Sequence, residues 1–212
     1  MFILGISCFY HDAAAALLLD GNIVAAAEEE RFTREKHDSN FPVNAIDFCL
    51  RKGGISAGDL DYVVFYEKPF LKFERIILTV LQTFPRSRKV FQEAMVNWFG
   101  DKIWAKGLIY KHLRVPTERI LFVEHHLSHA ASAYFASPFD EAAILTVDGV
   151  GEWATTTMGR AKGGKIVLDR EQRFPHSLGL LYSAFTAYLG FQVNEGEYKV
   201  MGMAPYGEPK YL

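Results

Sequence analysis

The apolar positions of this chain fall into short runs punctuated by tight-turn residues, then into a long helical period, then into short runs again. Met1 to Cys8 predicts a buried strand, and a polar turn at Tyr10-His11-Asp12 follows it. Ala13 to Leu19 predicts a second strand. Asp20-Gly21-Asn22 is a strong reversal signal that returns the chain into a third strand, Ile23 to Ala27. A helix is expected over Val43 to Lys52, a strand over Tyr62 to Tyr66, and helix from Phe70 to Leu113 with breaks near Pro85 and Gly100. After the apolar strand Ile120 to Val123, the segment beginning Glu124-His125-His126-Leu127-Ser128-His129 has helix-favouring composition.

From Ala142 the opening pattern returns. A strand to Val147 ends in Asp148-Gly149-Val150-Gly151, a strand follows over Trp153 to Gly159, Gly163-Gly164 reverses the chain, and a strand over Lys165 to Leu168 precedes an apolar helix, Leu178 to Leu189. Strand, turn, strand, turn, strand thus occurs twice, which predicts an α/β fold built from two related units, 1–138 and 139–212. Tyr182, Phe185, Tyr188 and Phe191 recur at helical spacing and are expected in the core.

Half of the residues are apolar and the formal charge is −2, which suits a globular protein and argues against nucleic-acid binding. A basic excess between Lys68 and Arg119 reads as a solvated helical face. No apolar run is long enough for a bilayer and no basic leader precedes the first strand, so a cytoplasmic protein without membrane contact is expected. Cys8 and Cys49 have no metal or redox spacing.

The chemistry concentrates at two turns and one helix. His125 and His129, four apart, share a helix face and can reach one cation, with Asp148 as a hard oxygen ligand; His126 with His129 is the alternative pair, although His126 reads more readily as packing. His11, beside Asp12, is the candidate proton acceptor, against a plain turn-capping role. Gly149, Val150 and Gly151 form a small-residue turn whose N–H groups suit an anion. Arg31 and Lys36 are candidates for phosphate or acceptor, and Glu195, Glu197 and Lys199 occupy a charged loop expected to line the site.

Strand-turn-strand units in duplicate resemble the actin, sugar-kinase and Hsp70 superfamily, of ribonuclease H-like fold. Gly5-Ile6-Ser7 through Leu17, Ala25 through Asp38, His125-His126-Leu127-Ser128-His129-Ala130, and Glu195 through Gly207 sharpen this to the O-carbamoyltransferases of the nodulation-factor and antibiotic-tailoring type. The resemblance implies an iron site, with zinc as the alternative, held by His125, His129 and Asp148. It implies transfer of a carbamoyl group from carbamoyl-adenylate to the hydroxyl of a small-molecule acceptor. The adenylate would come from ATP and carbamoyl phosphate in a further C-terminal domain, and another aspartate ligand from a later part of the second half. Neither falls within these residues, so the second unit is expected to be incomplete and the chain inactive alone. A sugar-kinase-type phosphotransferase and a non-catalytic nucleotide-binding module are the alternatives.

Overall fold

The computed structural model describes residues 1–98 and 103–210. It forms two compact units, Met1–Ser128 and His129–Leu212. The division lies ten residues before the boundary expected from sequence and falls inside a continuous helix. The expected break near Gly100 lies outside the described residues.

The first unit is built on a five-stranded sheet in the order β3-β2-β1-β4-β5. Its strands are β1 (Phe2–Ser7), β2 (Ala14–Leu19), β3 (Asn22–Glu28), β4 (Tyr62–Phe65) and β5 (Ile120–Phe122). Strands β1, β2 and β3 run antiparallel, and β4 and β5 pair parallel to β1 and to each other. Alternation fixes the register: Leu4 faces Leu17 and Ile6 faces Ala15, and all four are buried. Asp20 and Gly21 carry φ of 51° and 84°, the paired positive values that a two-residue hairpin turn requires.

Helices α1 (Glu30–Thr33), α2 (Val43–Gly53), α3 (Pro69–Thr83), α4 (Arg88–Asn97) and α5 (Ala105–Leu113) complete this unit. Ala45, Ile46 and Cys49 of α2 and Ile109 and Leu113 of α5 join the sheet residues in one core. Burial among these apolar groups pushes the Cys49 thiol pKa up. The long helical period divides into α3 and α4 at Phe84 to Ser87, where Pro85 cannot continue the ladder. Among the described residues no helix is long and apolar enough to cross a membrane.

The second unit begins in α6 (His125–Tyr134), which runs through the division, and continues into the antiparallel sheet β6 (Glu141–Val147), β7 (Ala154–Lys162), β8 (Lys165–Arg173). Gly163 and Gly164, at φ 55° and 77°, make the expected reversal. Ala130, Tyr134, Ile144 and Ala161 form its small core. Helices α7 (Leu178–Tyr188) and α8 (Glu197–Met203) follow. The core assignment for α7 is corrected here: Tyr182, Phe185 and Tyr188 are exposed, Tyr188 at 86%. The helix is apolar on several faces, so helical spacing of its aromatics does not identify the buried one.

One buried carboxylate organises the first unit. Glu29, 3% exposed, accepts the backbone N–H of Asn44 at 3.1 Å and of Ala45 at 2.8 Å, and the Asn44 amide at 2.7 Å. It thereby caps the N-terminus of α2 from the end of β3, where the helix's own Pro42 offers no side-chain cap. Glu29→Ala leaves these donors buried without their partner and is expected to lower stability by about 2–3 kcal/mol, measured by urea unfolding.

Candidate metal and transfer site

The C-terminal ends of the parallel strands set the position of the histidine helix. The Val123 N–H donates to the Phe65 carbonyl at 3.0 Å, and the Ser128 hydroxyl donates to the Tyr66 carbonyl at 2.8 Å. Lys68 and Glu124 add an ion pair at 2.8 Å. Helix α6 therefore starts immediately beyond β4, where open α/β sheets place ligands.

His125 and His129 lie one turn apart on this continuous helix, and their burial differs. His125 is 8% exposed, its ring edge-on to Tyr66 at 5.6 Å between centroids, whereas the His129 side chain is 51% exposed. In the second unit, His129 Nε2 stands 3.9 Å from Asp148 Oδ2. Because the helix carries both rings together, the ligand atoms of His125, His129 and Asp148 lie within 4.8 Å of one another. Ligand atoms about 2.1 Å from one ion stand at most about 4.2 Å apart, so the 3.9 Å pair already fits and the set needs only small side-chain adjustment. Two imidazoles and a carboxylate suit zinc or iron(II) better than magnesium, which prefers an all-oxygen shell. His126 is 3% exposed, in keeping with a packing role.

Asp148 is held by local contacts. Its second oxygen accepts the Gly149 N–H at 2.7 Å, and its own N–H donates to the Thr155 carbonyl at 2.9 Å. Ser177 caps α7 by accepting the Leu180 N–H at 3.0 Å, and its hydroxyl donates to the Gly149 carbonyl at 2.7 Å. Gly179 packs so tightly that an added Cβ would strike the Asp148 carbonyl and lie 2.6 Å from the Gly149 nitrogen. The turn between β6 and β7 thus rests on the start of α7. Gly149 and Gly151 direct their N–H groups to Asp148 and to the Ala154 carbonyl, so in this conformation both are used inside the turn.

In the first unit, Asp12 pairs with His37 rather than with its neighbour His11. His37 Nδ1 is 2.9 Å from Asp12 Oδ1, and the His37 N–H donates to Glu30 Oε2 at 3.1 Å. His11 is exposed, its ring against Tyr10 at 4.0 Å between centroids. Two backbone hydrogen bonds, Phe9 to Ser39 and Ala13 to Asp38, each 2.7 Å, clamp this turn to the His37 loop. The Asn40 backbone N–H holds the Asp38 carboxyl below its ordinary pKa. His37 adopts φ 56°, a left-handed backbone that a histidine seldom takes. The pairing was invisible to sequence reasoning, which weighs neighbours along the chain and not across a loop.

Other predicted residues are spread out. Arg31 is exposed and bridges Glu28 and Glu30, each at 3.2 Å, and Lys36 and Glu195 are exposed. Glu197 is not in a loop but opens α8, accepting from the Asn194 N–H at 3.1 Å and the Ser183 hydroxyl at 3.0 Å. Those donors, the Asn194 backbone first, hold its carboxyl below its ordinary pKa. Lys199 lies over the rings of Phe191 and Tyr198 at 5.9 and 5.8 Å.

Comparison with known proteins gives this arrangement a context. The family model described as the carbamoyltransferase N-terminus matches residues 2–212. An uncharacterised protein of Synechocystis sp. is 56% identical over 99% of this chain and 35% of its own length. Nodulation protein NolNO of Sinorhizobium fredii is 37% identical over 95% of this chain and 28% of its own length. The chain therefore spans about a third of the length of these relatives. Among solved structures, component A of the (R)-2-hydroxyglutaryl-CoA dehydratase of Acidaminococcus fermentans aligns over 99% of this chain and 70% of its own, at a TM-score of 0.48 and 12% identity. With the family model matched along nearly its whole length, the chain belongs to the carbamoyltransferase family and corresponds to its N-terminal part.

Proposed function

We propose that this chain is the transfer-site part of an O-carbamoyltransferase, which moves a carbamoyl group from carbamoyl-adenylate to the hydroxyl of a small-molecule acceptor such as a sugar or an antibiotic. The observation that carries the reading is the His129–Asp148 approach at 3.9 Å, with His125 one turn away on the same helix. A sugar kinase would need carboxylate and water around magnesium and has no use for this pair. In this proposal His125, His129 and Asp148 hold iron or zinc. When bound, the ion would supply positive charge to balance that of the departing phosphate.

A carbamoyl-adenylate is a mixed anhydride and already activated, so the protein's work is to orient the alcohol, take its proton and balance charge. The acceptor oxygen forms a bond to the carbamoyl carbon, the bond from that carbon to the phosphate oxygen breaks, and AMP leaves with the electron pair. The hydroxyl proton goes to an imidazole. We assign it to His37, whose ring is oriented by Asp12, and give the exposed His11 a contact to the acceptor. Arg31, Lys36 and Glu195 are proposed to meet acceptor or phosphate. Lys199 and the Gly149-Val150-Gly151 turn are proposed to meet the nucleotide, with one turn N–H freed when it binds. The repeated three-strand opening of both units supports a duplicated actin-like ancestry.

The metal reading predicts about one tightly held iron or zinc per chain after anaerobic reconstitution, with the metal lost in His129→Ala; absence of stoichiometric metal from the unaltered chain would reject it. Gly179→Ala, which forces the Asp148 turn outward, is expected to weaken metal binding about tenfold without unfolding the sheet, measured by titration and circular dichroism.

The transfer reading predicts that these 212 residues alone do not carbamoylate an acceptor from ATP and carbamoyl phosphate, whereas a protein joining them to an adenylate-forming domain does. In that protein His129→Ala should slow transfer by roughly a hundredfold or more and spare adenylate formation. His37→Ala should slow transfer by about 10²–10⁴-fold, and more than His11→Ala does. Equal loss of both half-reactions in His129→Ala, or none in either, rejects the assigned roles.

A further inference from the structure

Beneath the histidine helix lies a buried ion pair that the proposed mechanism does not use. Glu67 and Lys72 are 6% and 8% exposed, and Lys72 Nζ donates to Glu67 Oε2 at 2.7 Å. The Lys72 ammonium also sits over the Tyr10 ring, 4.9 Å from its centroid. Burying two charges costs more desolvation than a well-packed apolar pair would, so such a pair is poorly explained by stability alone. Its position supplies an explanation. The same Glu67 Oε2 stands 3.8 Å from His125 Nδ1, an atom sealed from solvent.

We propose that Glu67 is the positioning carboxylate of His125. It accepts a hydrogen bond from the His125 Nδ1–H and so fixes the tautomer in which Nε2 is left to bind the cation, while Lys72 holds Glu67 in place. The inference rests on the metal reading above and adds to it a group outside the ligand set. A histidine ligand gains basicity and a fixed ring orientation when its other nitrogen donates to a carboxylate. The 3.8 Å separation is longer than a hydrogen bond, so the role requires the imidazole to turn toward Oε2 when the cation binds.

The surroundings favour this role. Segment 65–68 is joined to segment 123–128 by the Phe65, Tyr66 and Lys68 contacts already described, so Glu67 cannot drift from the helix start. The Tyr66 phenol, pushed far above its ordinary pKa first by burial and then by the Glu67 charge, donates to the Cys8 carbonyl at 3.4 Å and stays protonated. Among the described residues, the Tyr66 phenol and the Glu67 carboxylate, itself paired with the Lys72 ammonium, face the His125 ring from β4 and α3.

The test is cobalt(II) and zinc titration of the chain, read as dissociation constants, beside ¹⁵N imidazole shifts of the metal-free chain. Glu67→Gln is expected to weaken metal binding by about 10–100-fold and to turn His125 from the Nδ1–H tautomer to a mixture. Because Glu67→Gln strands a buried ammonium, the double variant Glu67→Gln/Lys72→Met is made beside it. That variant should recover the thermal midpoint of the metal-free chain but keep the weakened binding and the mixed tautomer. Glu118→Gln, at an exposed carboxylate before β5 and outside these contacts, should change affinity less than twofold. Unaltered affinity in both Glu67 variants, or a wild-type His125 already in the Nε2–H tautomer, overturns the proposal while leaving the metal reading standing. A wild-type chain that binds neither metal overturns both.

Discussion

The short connection from β4 to α6 is the constraint on which the rest of the candidate site depends. Three contacts made by Phe65, Tyr66 and Lys68 hold the start of α6 against the C-terminal end of a buried parallel strand. The strand itself cannot shift, since Val63 and Phe65 are almost fully buried and paired on both sides. A helix fixed at its first turn carries its side chains at fixed angles. His125 therefore inherits its aim from the sheet, and little side-chain entropy is left to lose there.

Features that depend on local backbone chemistry were legible in the sequence. Asp20-Gly21 and Gly163-Gly164 announce their hairpins because few other pairs tolerate two consecutive positive φ values, and the four-residue spacing of the histidines is a property of any helix. Motifs near His11, His125 and Glu195 were enough to identify the family, which the match over residues 2–212 then showed. Contacts made across the fold were not legible. Glu29 caps a helix that begins fourteen residues later, Glu67 approaches a histidine far along the chain, and Asp12 selects His37 over the adjacent His11. Each involves a carboxylate whose partner is chosen by the packing of strands and loops, and no periodicity records that choice.

The errors have a physical origin too. Glu197 and Lys199 belong to α8 rather than to a loop, because a glycine before a charged run is equally compatible with a helix start, and Glu197 then serves the loop's own N–H groups. In α7, aromatic spacing suggested a core face, but apolar residues surround the helix and Tyr188 is among the most exposed side chains of the chain. Periodicity shows which residues share a face; it does not show what covers that face.

The two histidines differ in burial and in what holds them. His125 is buried, with Nδ1 toward Glu67 and its ring against Tyr66. His129 is half exposed and meets an Asp148 whose turn rests on α7 through Ser177 and Gly179. The inner histidine is thus tied to the contacts of β4, whereas His129 and Asp148 are tied to the β6–β7 turn and the start of α7, so different stretches of sequence fix the two imidazoles.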